Sequence, residues 1–348
     1  TEMVYAGVFE QPEPTHRLHR GDPMQQREVV PPATPRVLDT AVSETVLDVD
    51  APEQERRRAL ANWITSPRNP LTARVLVNRI WQHHFGTGIV DTPSDFGAMG
   101  TPPSHPKLLD WLAAELIDSG WSIKHVHRLI LLSHTYQQAS TPRPDAMAVD
   151  AGGRLLWRYP SRRLEAEPIR DCILAVSGSL DPSMGGPGFS MFEPNQNYVR
   201  VYEPREEFGP EQFRRMIYMT KVRMEQDAVF GSFDCPDAGQ VCPKRAQSTT
   251  AMQALNMQYS GFLLDQARRF GERVAYDVDA GAANASDDDH DVDVEDRDAA
   301  QIDRAFWLAL ARAPDDTERA AAVALVADHG LAALCRALLN SNEFLFIP

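Results

Sequence analysis

A chain of 348 residues, 43% of them hydrophobic, can bury a sizeable core, and at about 100–200 residues per domain it makes one large or two modest units. Its net charge is −14, but residues 277–298 alone hold ten acids against one arginine, so the rest of the chain is only weakly acidic. Neither part has the basic surface that nucleic-acid binding requires, and no stretch approaches the roughly 18 uncharged apolar residues of a membrane span.

The chain opens on Thr1 without a basic or apolar leader, which predicts a mature product or a piece of a longer polypeptide. Residues 1–50 carry Pro12, Pro14, Pro23, Pro31, Pro32 and Pro35 and no helical period. They are expected to form an extended Pro-rich arm or linker.

Helix punctuation then becomes dense. Pro52 opens a helix through "EQERRRALANWIT" whose apolar side is Leu60, Trp63 and Ile64. Asn69 as N-cap and Pro70 in the first turn begin a second, which runs to Phe85 and stops at Gly86. After the loop "DTPSDFGAMGTPP", Ser104 is expected to cap a third helix, with Leu109, Leu112, Ala113 and Leu116 at helical spacing and Gly120 at its end. Ser122 begins a fourth, "IKHVHRLILLSHTYQQ". Together these predict an N-terminal helical unit over 51–142.

A second helical unit with loops and a short strand is expected over 143–276. Its helix "RRLEAEPIRDCILAVSG" turns Ile169, Ile173 and Val176 inward, and "DPSMGGPGF" is loop. "RRMIYMTKV" alternates enough to predict the strand. "STTAMQALNMQYSGFLLDQARRFGERV" returns to helix, broken near Ser260-Gly261. Residues 277–298 have almost no apolar content and are expected to be a disordered acidic insertion. The run from Asp287 to Asp298 begins like a calcium loop, with Asp287, Asp289 and Asp291, but Val292 stands where that loop needs Gly. Residues 299–348 close the chain with two helices packed on the body, the last capped by Thr317 or the aspartates before it. The predicted class is mainly α, a bundle-like helical array with long irregular loops and at most a few short strands.

No motif names a reaction. In "LVNRIWQHHFGTG", His83 and His84 are neighbours about 100° apart on a helix and cannot easily share a metal. Their place in the last turn suits capping of free carbonyls, with a ligand or catalytic role as the alternative. His127 and His134 are expected to be hydrogen-bonded core or inter-helix residues. Asp95, Ser104 and His105 invite a hydrolase reading, but no nucleophile setting accompanies them. Arg162, Arg163, Glu165, Glu167, Arg170 and Asp171 gather both signs of charge at a helix start. They form either an ion-pair network or an Arg-lined site for an anionic or sugar ligand. Cys172 and Cys335 sit in apolar runs. Cys235 and Cys242 bracket a turn-rich loop that could bring them into a disulfide in an oxidising compartment. No metal site is expected, and with no C-x-x-C-H the chain itself attaches no c-type haem.

The stretch from "RRRALANWITSPRNPL" through "LVNRIWQHHFGTG" to "HTYQQAS" resembles the planctomycete domain of unknown function fifteen-fifty-three, the C-terminal part of planctomycete cytochrome c-type multidomain proteins. The likeness continues in "LLWRYPSRRLEAEPIRDCILAVSGSLD", "GSFDCPDAGQVCPKRAQSTTAMQALNMQ" and "LLNSNEFLFIP". Within it, Cys242 matches the family's "C..R..ST" stretch, whereas Cys235 is a local addition. The resemblance implies an extracytoplasmic location, at the cell surface or in the periplasm, and a haem c domain upstream in the same polypeptide. The leading expectation is therefore an interaction or scaffold module with no cofactor of its own, whose partners are those upstream domains and carbohydrate or surface proteins. The rival is an enzyme or carbohydrate-binding domain served by the haem, with Arg79, Trp81, His83, His84, Asp95, Arg162, Arg163 and Arg170 as candidates.

Overall fold

The computed structural model describes residues 7–38, 46–193, 202–205, 207–223, 225, 229–285 and 294–347. The fold is mainly α, with thirteen α-helical segments and two two-stranded sheets among the described residues. No helix among them is long and apolar enough to cross a membrane. The chain divides into two compact units, Thr1–Pro160 and Ser161–Pro348, a coarser division than the five segments read from the sequence.

In the first unit, the Pro-rich stretch expected to be an arm contains an antiparallel hairpin, β1 (His16–His19) and β2 (Asp22–Val29). Arg20 and Gly21, both at positive φ, make its two-residue turn, the turn whose twist matches that of paired strands. The register skips in two places, and local alternation is therefore weak in the sequence. Next come α1 (Glu53–Ile64), α2 (Thr72–Phe85), α3 (Pro106–Asp118), α4 (Ile123–Leu131), and the short α5 (His134–Gln137) and α6 (Pro144–Val149).

The helices α2, α3 and α4 pack on one another. Their contact faces are Val77, Ile80, Trp81 and Phe85 of α2, Leu109, Leu112 and Leu116 of α3, and Val126 and Ile130 of α4, all buried. Asn69 accepts the amides of Leu71 and Thr72 as the helix start predicts. Ser122 likewise caps α4. The expected long fourth helix ends at Leu131, because Ser133 accepts the Tyr136 amide and starts α5 afresh. Ser104 does not cap α3. Its hydroxyl donates to the Ile89 carbonyl at 3.3 Å, and His105 takes the N-cap position.

The second unit holds β3 (Arg162–Arg163), α7 (Ala166–Ser177), α8 (Ala251–Tyr259), α9 (Gly261–Ala285), α10 (Val294–Leu310), α11 (Asp316–His329), α12 (Leu331–Leu339), α13 (Asn342–Leu345) and β4 (Phe346–Ile347). The long α9 is the spine, packing α7, α8, α10 and α12. It buries Leu263, Phe270 and Val274 against Ile169 and Ile173 of α7, Ile302 and Phe306 of α10, and Cys335 and Leu339 of α12. β4 pairs with β3 antiparallel and ties the chain end to the start of the unit.

Three expectations are corrected here. "RRMIYMTKV" is not a strand: Met216–Tyr218 is a 3-10 turn, because the Asp171 carboxylate takes the Met216 amide at 2.7 Å, a donor that a strand would give to a neighbour. The last helix splits at Gly330, whose φ of 80° lies in the left-handed region. Residues 277–285 and 294–298, expected to be disordered, are the end of α9 and the start of α10. Asp277 and Asp279 there pair with Arg304 and Arg297 across the two helices, at 2.6 and 2.7 Å. The calcium reading falls mostly on residues 286–293, outside the described residues. Asp298 itself lies in α10.

The Asp315 cap of α11 belongs to a larger ionic knot. Arg312 forks onto both carboxylate oxygens of Glu318 at 2.7 Å and also reaches Glu343 at 2.6 Å. Hydrogen bonds from Arg312, then from the Asp315 amide, hold the Glu318 carboxyl down at about 2, against an ordinary 4.5. A depressed folded value means that the knot's contribution is fully present above the ordinary value and is lost as pH falls through about 2. A carbon-detected carboxyl titration is expected to find the Glu318 midpoint near 2. A midpoint in the usual glutamate range would show that the fork does not form in solution.

Candidate functional site

In the first unit, the Asn78 side chain of α2 is fully buried and bonds both ways to one backbone residue, donating to the Val90 carbonyl at 3.0 Å and accepting its amide at 2.8 Å. This clamp folds the loop after α2 back onto the helix. Gly88 lies so close beneath it that a Cβ would fall 2.6 Å from the Val90 carbonyl oxygen.

The helix ends at Gly86, whose left-handed conformation sends its amide to the Gln82 carbonyl. His84 crosses to α4, where its Nε2 lies 2.7 Å from Nδ1 of His127. That bond requires one nitrogen to donate and the other to accept. The Tyr136 ring meets His84 edge-on, and the Tyr159 hydroxyl donates to the His84 carbonyl at 2.8 Å. The pair is thus a buttress between helices, the role expected of His127. Trp81 is buried and stacks on Phe85 at 4.2 Å. Arg79 and His83 lie on the exposed side of α2. Asp95 shapes its own loop by accepting the Gly97 amide at 2.9 Å. These five candidates of the first unit therefore do not converge on one cleft.

The second unit gathers charge more tightly. Arg170, only 1% exposed, donates to the carbonyls of Gln212 and Arg214, its guanidinium lying 5.1 Å from the Phe189 ring and 5.8 Å from that of Phe262. It is a buried staple holding the 210–216 segment to α7. Arg162 sits in β3 opposite Ile347. Arg163 is buried over the Phe233 ring, and donates to Asp234 at 2.8 Å, to Gln253 at 2.6 Å and to the Ser248 carbonyl. Asp234 in turn accepts the Ser248 amide and hydroxyl. Burial pushes the Asp234 carboxyl up, but these bonds outweigh it and hold the group below its usual range.

Beside this network Arg245 forks onto Glu167 at 2.6 and 3.0 Å and touches Glu165 at 3.0 Å. Burial raises the Glu167 carboxyl, and the Arg245 bonds more than reverse it, leaving it below the ordinary value. Next to Glu167 lies the buried Cys235, whose Sγ accepts from Nζ of Lys221 at 2.8 Å. Cys235 and Asp234 form one wall of a cavity of about 940 Å³ that also meets Arg223, Cys242 and Lys244. All four cysteines are free, the possible Cys235–Cys242 pair among them. The Cys235 sulfur is turned to Lys221, and the exposed Cys242 thiol donates to the Lys244 carbonyl at 3.4 Å. No group of three or more metal-ligating side chains occurs among the described residues.

The charge cluster at 162–171 thus divides: Arg163 bonds to Asp234 and Glu165 and Glu167 to Arg245, while Arg170 and Asp171 hold the 210–216 segment. Missing from the sequence-level candidates were Asp234, Arg245 and Ser248, although all three lie in the quoted "GSFDCPDAGQVCPKRAQSTT" stretch. Lys221 had no local signal at all, since only the fold brings it to Cys235. What the structure defines is a helical module in which most of the sequence's conspicuous charges and histidines bond to other elements of the chain. The chain belongs to the protein family of unknown function DUF1553, also designated PSD1, whose family model matches residues 56–326. Comparison with curated proteins and with solved structures returns no match.

Proposed function

We propose that this chain is an interaction or scaffold module of a multidomain surface protein, held outside the cytoplasm beside a cytochrome c-type haem domain of the same polypeptide. The resemblance supports the setting, and α1 supports the role. None of the α1 residues is buried, and Leu60 and Ile64, of the helix's apolar side, are 53% and 40% exposed. Single exposed apolar residues are commonplace. Here, however, two residues four positions apart share one helical face that borders the half-buried Trp63, and Trp63 itself lines a shallow cavity of about 300 Å³. Such an edge gains by burial against a partner, and the proposed partner is the upstream haem domain. Titrating the chain with that domain, expressed separately, is expected to show binding, weakened about tenfold or more by Leu60→Glu with Ile64→Glu. Equal binding by the double variant would sink the reading.

The cavity walled by Asp234 and Cys235 favours a second reading, a carbohydrate-binding or enzymatic domain that exchanges electrons with the haem. A glycan panel tested with and without the haem domain separates the two. Saturable binding lost on Arg223→Ala, a cation of the cavity lining, would favour the ligand site.

A further inference from the structure

We propose that Cys235 is an oxidant-responsive residue whose sulfenic acid is captured by Lys221, cross-linking the 214–222 segment to the 231–250 loop through a sulfur–nitrogen bond. The amine nitrogen already lies 2.8 Å from the sulfur, within direct reach for bond formation. Cys235 is only 4% exposed, yet it lines the cavity of about 940 Å³. A water-sized oxidant such as hydrogen peroxide can enter there, whereas a bulky thiol reagent meets a nearly closed surface.

The groups facing the sulfur are Lys221, Glu167 at 3.8 Å and Arg245. Burial raises the Cys235 thiol above its ordinary value, Glu167 adds to this, and Lys221 and Arg245 oppose it. The resting sulfur is therefore a thiol, and the reaction draws on a minor thiolate fraction that grows with pH.

In the first step the thiolate attacks peroxide. A sulfur–oxygen bond forms, the peroxide O–O bond breaks, and with the thiol proton the products are Cys235 sulfenic acid and water. In the second, Lys221 gives up a proton to solvent and its amine lone pair attacks that sulfur. The S–O bond breaks and the hydroxyl leaves as a second water. Sulfenic acids condense with a second thiol to a disulfide or with a backbone nitrogen to a sulfenamide, and the Lys221 amine takes that nitrogen's place here. Overall, one thiol, one ammonium and one peroxide give one S–N link, two waters and one proton. Cys242 is the competing trap because it shares the cavity, but its sulfur is engaged with the Lys244 carbonyl. The proposal stands apart from the interaction-module reading.

The test is hydrogen peroxide titration of the full chain, followed by non-reducing peptide mapping by mass spectrometry. The expected product is a Lys221–Cys235 linked peptide, lighter than the sum of its parts by a pair of hydrogens and released by dithiothreitol. It forms faster as pH rises. It persists in Cys242→Ser and is lost in Lys221→Arg, which keeps the cation, and in Cys235→Ser. A Cys235–Cys242 disulfide, unlinked sulfinic or sulfonic acid at Cys235, or an unmodified Cys235 would each overturn it. The wild-type map decides even where a variant fails to fold.

Discussion

Arg170→Ala is expected to lower the unfolding free energy of the chain by about 3–5 kcal/mol. The side chain is 1% exposed and fills the space between Phe189 and Phe262 while donating to two backbone carbonyls. Truncation leaves both a cavity and carbonyls stripped of their donors. Arg170→Met refills most of the volume but restores neither bond, so it is expected to recover only part of the loss. Urea unfolding followed by circular dichroism measures both variants, with the shift read in the midpoint at constant slope. If Arg170→Ala unfolded like the wild type, the staple role would be wrong, and Arg170 would return to the list of binding candidates.

Asn78→Ala is expected to cost about 2–4 kcal/mol, through two bonds rather than through volume. The amide is the partner of both polar groups of Val90, a residue that is itself buried. Removing it leaves those groups without it in a site closed to water. Gly88→Ala is a second probe of the same clamp, since the added Cβ would lie 2.7 Å from Nδ2 of Asn78. Loss of cooperativity in the first unit, or faster amide exchange at Val90, would report the opened loop. An Asn78→Ala variant with wild-type exchange at Val90 would remove the clamp from the account of the fold.

Much of the fold was legible because helices declare themselves locally. The starts at Asn69 and Ser122, the stops at Gly86 and Gly178, and the break at Ser260 are written in residues within a turn of each event. The misreadings at Ser104, "RRMIYMTKV" and 277–285 share one cause, unlike the helix split at Gly330, which is local. Ser104 and the "RRMIYMTKV" stretch have side-chain or backbone groups whose partners lie far along the chain, at Ile89 and Asp171. Periodicity carries no information about such partners. Residues 277–285 were misread for the related reason that Asp277 and Asp279 lower their charge cost by pairing with arginines 27 and 18 residues away.

The candidate site divides along the same line. Arg163, Glu165 and Glu167 stood out as a charge cluster, and the 231–250 motif stood out as a block. That Asp234, Arg245 and Cys235 of that block meet the cluster, and that Lys221 joins them, depends on how α7 and α8 pack on α9. His84 gives the same lesson in the first unit. Its position at a helix end was readable, but its bond to His127 exists only because α2 and α4 pack side by side.

By itself, then, the sequence determined the mainly α class, most helix boundaries and the family, because capping, periodicity and contiguous motifs are properties of neighbouring residues. Only the tertiary structure decided which charges became staples, which thiol met an amine and which apolar helix face stayed open. Each of those outcomes depends on the distance between groups far apart in the chain, and the burial that sets their energies exists only once the helices have packed.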